Sequence, residues 1–298
     1  MEKHFTPKTF KRYCECGNWI EFFVDREETK YKVYQANFCK NRFCPMCAWR
    51  LAHKDAMKIS VLMEYLEAEH DKAFIFLTLT APNVRGEDLK NTIKRFNSAW
   101  KNLVDRDEVA RVLKDNGYIR KLEVTYEKER KGYYHPHFHV LIAVNKSYFK
   151  SRDYIKQSRW LDMWRDVMGD DSITQVDVRR VKNNGNKNDV SQGKAANEVA
   201  AYAAKDEDYF KSQEIFDVFY GALKGRQMLT YSGIFADANK KYKAGELDVY
   251  KTLDDTEYVW LLLARWGGAE YVERKRQQIS HEEYLQLKRE AVDETAIT

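Results

Sequence analysis

This sequence predicts an α+β fold built on a central antiparallel sheet flanked by helices. Three observations carry that reading. Segments of helical and strand period follow one another as β-α-β-β-α-β-α, not as strict βαβ repeats. Two strand-like runs, GYIRKLEVTY (117–126) and the stretch from His135 to Val144, are joined only by the charged turn EKERKG (127–132), so they pair as an antiparallel hairpin. With 44% hydrophobic residues in 298, the chain can bury a substantial core.

The elements follow in order. From Ala48 to about Glu69, Ala52, Ala56, Ile59, Met63 and Leu66 recur at helical spacing. AFIFLTLT (73–80) is a buried strand, stopped by Ala81-Pro82-Asn83. Residues 87–104 place Leu89, Ile93, Phe96, Trp100 and Leu103 on one helix face. After the hairpin, 151–168 is an amphipathic helix through Tyr154, Leu161, Trp164 and Met168, and SITQVDVRRV (172–181) is a strand. KNNGNKNDVSQGK (182–194) is a polar loop, long enough for mobility. AANEVAAYAAKDEDYFK (195–211) is a helix, because alanine is the best helix former. Beyond it, 214–223 and 281–292 read as helices and 227–235 and 257–266 as strands.

Charge and hydropathy narrow the class. The net charge is +5 and the pI about 8.7, a mild basic excess that only weakly favours a polyanionic partner. The longest apolar run, Val259–Ala264, is far short of the ~20 residues that span a bilayer. The start, MEKHFTPKTFKRYCECG, has no apolar core of a signal peptide. A cytoplasmic protein without a membrane partner is expected.

All five cysteines lie between Cys14 and Cys47. Cys44-x-x-Cys47 has the spacing of a metal knuckle, and the CxC pair upstream completes a structural zinc pattern. Five candidates compete for four places. Cys16, Cys39, Cys44 and Cys47 are preferred, since Cys16 precedes the small Gly17, and Cys14 is the alternate. The segment NFCKNRFCPMCAWRLAHK (37–54) carries Lys40, Arg42, Arg50 and Lys54 with no acidic residue. With Phe38, Phe43 and Trp49 between these charges, it fits either a nucleic-acid contact or a purely structural staple.

YYHPHFH (133–139) raises a second metal question. Alternate residues of a strand share a face, so His135, His137 and His139 point one way. The facing strand brings Glu123 opposite His137 or His139. Two imidazoles and a carboxylate suit Mn2+ or Mg2+ acting on a phosphate, and zinc also matches the donor types. His135, near the turn, is the weakest of the three. On the alanine-rich helix, Glu198, Tyr202, Lys205 and Tyr209 form one stripe. A phenol with its pKa lowered from ~10 by Lys205 or a metal is a candidate nucleophile, and Glu198 a candidate general base. Such a stripe is more often plain solvated surface. It gains meaning only if it faces the histidines.

FLTLTAPN (76–83), EVTY with YHPHFHVLI (123–142) and EVAAYAAKDEDY (198–209) together resemble, in order and spacing, the three motifs of plasmid rolling-circle replication initiators of the HUH endonuclease superfamily. NFCKNRFCPMCAWR and GALKGRQMLTYSGIF (221–235) are similar to that family's flanking regions. The resemblance implies an RRM-like sheet and a DNA-nicking activity. It implies His137, His139 and Glu123 as ligands of the catalytic ion, Tyr202 as the residue that takes the 5′-phosphate, and Glu198 as the activator of water at termination. His135 departs from the family, where asparagine is frequent. The chain then divides into a zinc module with a connecting helix (1–70), a nicking-joining domain (71–235) and a C-terminal extension (236–298). The expected partner is plasmid origin DNA, as an extruded hairpin or a single-stranded nick site, with Arg179, Arg180 and Lys182 on its phosphates. The segment YVWLLLARW (258–266) is read as core, or as a docking strand for a homodimer or a host helicase, with a host polymerase using the freed end. An HUH transposase, a mobilisation relaxase and a non-enzymatic zinc-dependent DNA-binding regulator are the alternatives.

Overall fold

A computed structural model describes residues 2–182, 189–200, 211–252 and 254–290. It resolves into two compact units, one formed by Met1–Leu51 with Thr252–Thr298 and the other by Ala52–Lys251. The expected three-part division differs from this, because the C-terminal strands complete a sheet begun at the N-terminus.

In the first unit, α1 (Pro7–Cys14) precedes β1 (Trp19–Asp25) and β2 (Tyr31–Ala36). A long helix, α2 (Pro45–His70), starts here and continues in the second unit, with proline at its first position, where a missing N–H costs nothing. The C-terminal segment supplies β10 (Tyr258–Trp266), β11 (Tyr271–Gln278) and α9 (His281–Glu290). The sheet order is β11-β10-β1-β2. The segment YVWLLLARW is therefore an inner strand with both backbone edges paired, and Val259, Leu262 and Ala264 are buried. Tyr284 of α9 closes over Phe23 and Tyr258.

The second unit holds β3 (Lys72–Thr80), β4 (Val84–Arg85), α3 (Gly86–Val104), α4 (Asp107–Leu113), β5 (Gly117–Tyr126), β6 (Tyr133–Asn145), α5 (Gln157–Met168), β7 (Val176–Val181), β8 (Asp189–Val190), α6 (Gln192–Ala200), α7 (Gln213–Leu223), β9 (Leu229–Tyr231) and α8 (Ile234–Lys243). Its sheet runs β8-β7-β3-β6-β5-β9, with β4 on β6, and every pairing is antiparallel except β7 with β8. Helices cover both faces. On one, the five apolar residues expected on α3 are buried, and Phe96 meets Phe138 and Trp164 edge-on. On the other, α2, α6 and α8 share a core with Phe74, Phe76, Ile119, Leu141 and Ala143. Parity along the strands puts His135, His137, His139 and Glu123 on this second face.

Candidate metal centre and nucleic-acid interface

The β5–β6 register decides the first site. Glu123 pairs with His137 and Lys121 with His139, while Thr78 of β3 pairs with His139 from the other side. The Glu123 Oε2 oxygen lies 3.3 Å from His137 Nε2 and 3.1 Å from His139 Nε2. Glu123 and His137 are each 9% exposed. The His137 and His139 rings meet edge to face at 4.7 Å, and His139 stacks on Phe76. These contacts lock the side chains before any ligand arrives.

The outer nitrogen of His137 settles its tautomer. His137 Nδ1 is 3.3 Å from the His135 carbonyl, which can only accept, so this nitrogen carries the proton. His139 Nδ1 lies 3.3 Å from the Thr78 hydroxyl. With protons on Nδ1, both Nε2 lone pairs and a carboxylate oxygen converge on one small space. Three acceptors facing one another repel unless a cation sits among them or the imidazoles take a second proton. The donor set thus fits a divalent ion, with outer partners already orienting each imidazole. Burial raises the Glu123 carboxyl, but hydrogen bonds from His137 and His139, once the imidazoles take that second proton, outweigh it and leave it at about 2. His135 shares the face, its ring 5.3 Å from that of His137, and burial together with His137 lowers its pKa.

Helix α6 brings the start of the third motif, Glu198 to Ala200, to this face. Its Ala195, Ala196, Val199 and Ala200 are buried in the core shared with Phe76, Ile119 and Leu141, one strand step from the ligands. Glu198 is partly exposed and lies 3.8 Å from Lys194. Tyr202, Lys205 and Tyr209 fall outside the described residues. Lys182 is described and partly exposed, while residues 183–188 after it are not described. Arg179 and Arg180 do not share a face. Arg179 pairs with Phe76 on the histidine face and bonds Asp177 at 2.7 Å, whereas Arg180 points to the opposite face and stacks 4.0 Å over Phe149. Strand parity in SITQVDVRRV carries that separation, since adjacent residues point oppositely. Sequence reading passed over Lys121, buried on the ligand face at 6% exposure, and Thr78. A lysine one strand step from a predicted ligand was the available signal.

The second site lies in the other unit. The sulfurs of Cys16, Cys39, Cys44 and Cys47 all lie within 4.8 Å of one another, and three pairs stand at 3.5, 3.5 and 3.6 Å. A tetrahedron of sulfurs ~2.3 Å from zinc has edges of about 3.8 Å, so these four fit a structural ion. Hydrogen bonds from Cys16, Cys39 and Cys44 hold the Cys47 thiol low, while the contact with Cys16 pushes Cys39 and Cys44 up, the pattern of a thiolate stabilised by neighbouring thiols. Cys14 is exposed and apart from the cluster. Gly17 takes φ 72°, and a Cβ there would stand 2.3 Å from Met46 Sδ, so the knuckle turn requires glycine. Lys40, Arg42 and Arg50 remain partly exposed around it. The aromatic surface is smaller than expected. Phe38 and Phe43 are core residues, with Arg50 stacked 3.4 Å over Phe38, and only Trp49 of the three is exposed.

Among the described residues, no helix is long and apolar enough to cross a membrane. The profile of the family described as Replication protein matches residues 30–272. The chain is 51% identical over 210 residues to Protein rep of Staphylococcus aureus, covering 70% of this chain and 87% of that one. It is 36% identical to Protein rep of a Bacillus species over 82% of this chain and 84% of the relative, and 35% identical to Protein rep of Streptococcus pneumoniae over 86% and 80%. No solved structure matches it. A metal-ready histidine strand, a four-cysteine knuckle and this similarity over most of its length lead to one conclusion: the chain belongs to the replication-protein family of plasmid replication initiators.

Proposed function

We propose that this initiator starts rolling-circle replication by nicking one strand of a plasmid origin and rejoins it when a round of copying ends. The observation that supports this is the convergence of Glu123, His137 and His139 on the sheet face where α6 packs, the helix described to within two residues of Tyr202. Glu123, His137 and His139 would hold Mn2+ or Mg2+ there, and the ion would supply Lewis-acid chemistry to the scissile phosphate. Tyr202 attacks the phosphorus and gives its proton to solvent, with Lys205 stabilising the phenolate. The bond to the 3′ oxygen breaks, that oxygen takes up a proton, and the 5′-phosphate stays on the tyrosine. The free 3′-OH primes synthesis by a host polymerase, with a host helicase opening the duplex. Glu198 activates the attacking group at termination. Arg179, rather than Arg180, holds DNA on the catalytic face, and the zinc-pinned surface of Lys40, Arg42 and Arg50 grips the origin duplex. Nicking of a supercoiled origin plasmid tests the reading. Wild-type protein should give open circles only with a divalent ion, and the His137→Ala/His139→Ala variant should give none. Equal nicking by the variant, or by wild type in chelator, would overturn it.

A further inference from the structure

A cleft of 450 Å³ opens at the turn end of the same β5–β6 hairpin, lined by β4, the start of α3, the turn and α7. The Tyr126–Tyr134 pair at its wall is three register steps beyond Glu123–His137, an odd number, so by strand parity the pair lies on the opposite face of the sheet and the cleft is reached around the hairpin end. Its composition is unusual for a surface cleft. Tyr126, Tyr133 and Tyr134 supply ring faces and edges, with Tyr134 fixed at 2% exposure by edge contacts to Tyr126 and Phe219. Cations crowd the rings. Arg130 lies 3.7 Å over Tyr133 with Arg85 at 5.5 Å, Lys211 lies 5.0 Å from Tyr126, and Lys131 stands in the wall. Two carboxylates, Glu87 and Glu214, also line it.

Aromatic faces with interleaved cations are what an unpaired nucleotide needs: stacking for the base and positive charge for its phosphate. A free anion would be repelled by Glu87 and Glu214. A base with an exocyclic amine can donate to them, as cytosine does to a carboxylate. We propose that this cleft holds one unpaired nucleotide flanking the scissile phosphate, its base against the tyrosines and its phosphate on Arg85 and Lys131. The strand is thereby pinned at the hairpin end as it leaves the ion-site face, which sets which phosphate reaches the ion. This placement rests on the nicking function proposed above, but binding tests it without any cleavage.

The probe is a labelled single-stranded oligonucleotide of the origin nick region, with fluorescence anisotropy measured in chelator. The Arg85→Ala/Lys131→Ala variant, at exposed positions, should bind about tenfold more weakly than wild type. A series of oligonucleotides with one abasic site each should contain one position that weakens wild-type binding but leaves Tyr133→Ala unaffected. Unchanged affinity of the double variant, or an abasic series in which no position separates Tyr133→Ala from wild type, would overturn the proposal. So would a free deoxynucleoside monophosphate that competes as well as the oligonucleotide. If wild type fails to nick but the cleft-dependent binding persists, the nicking function falls and the nucleotide site stands.

Discussion

Thr78→Val tests the metal centre without touching a ligand. The substitution keeps the branched side-chain shape and deletes only the hydroxyl that lies 3.3 Å from His139 Nδ1. Where that hydroxyl accepts from Nδ1, it holds the proton there and leaves Nε2, 3.1 Å from Glu123, open to an ion. Valine cannot accept it, so the imidazole is free to rotate or to move its proton to Nε2, where it blocks an ion. Outer partners of metal-bound histidines are worth ~10–100-fold in metal affinity. That is about 1.4–2.7 kcal/mol, within the ~1–3 kcal/mol expected for orphaning a largely buried donor. Titration calorimetry with MnCl2, without DNA, should show this loss in Thr78→Val, recovery in Thr78→Ser and a deeper loss in His139→Ala. Wild-type affinity in Thr78→Val would refute the idea that the Thr78 hydroxyl orients the site.

Cys16→Ala should release the bound zinc to a chromogenic chelator and lower the melting temperature, while Cys14→Ala should keep one zinc per chain. Glu198→Ala should nick at the normal rate but fail to close the circle at termination, and equal loss of both steps would mean that Glu198 shapes the site instead. In the first unit, burial raises the Asp254 carboxyl, but the Lys32 ammonium 2.5 Å away and the Thr256 and Tyr258 hydrogen bonds outweigh it and hold it at about 2. Its folded value lies below the ordinary 3.8, so its stabilisation is complete above that pH and is lost as pH falls through about 2. Asp254 is a third exposed and partly screened by water, so Asp254→Asn should flatten the acid side of the melting profile only modestly.

The histidine hairpin was legible because its signals are local. Alternation in YHPHFH set the face, and the six-residue turn left Glu123 opposite His137 or His139, of which the register takes His137. The α3 stripe was equally clear, since all five expected apolar residues face the core. The first unit was not legible. Strand β1 finds its partner β10 more than two hundred residues away, a pairing that no local pattern encodes. Strand β11, YVERKRQQ, is an exposed edge held by its backbone ladder to β10, so it shows no hydrophobic alternation. The strand expected over 227–235 shrinks to Leu229–Tyr231, because Gly233 turns the chain and α8 begins at Ile234. Four of five cysteines were separable from the fifth through the glycine after Cys16, and Met46 packed against that glycine explains why the signal exists.

The central claim is that Tyr202 carries the DNA. Wild-type protein should be incubated with Mn2+ and a single-stranded nick-site oligonucleotide, digested with nuclease and trypsin, and the nucleotide-bearing peptide sequenced by mass spectrometry. Cleavage after Lys194 and Lys205 places Tyr202 in the peptide 195–205 and Tyr209 in the next one, 206–211. The account predicts the added phosphonucleotide on 195–205, and its disappearance in Tyr202→Phe. An adduct on 206–211, or nicking with no protein-bound nucleotide at all, would contradict it.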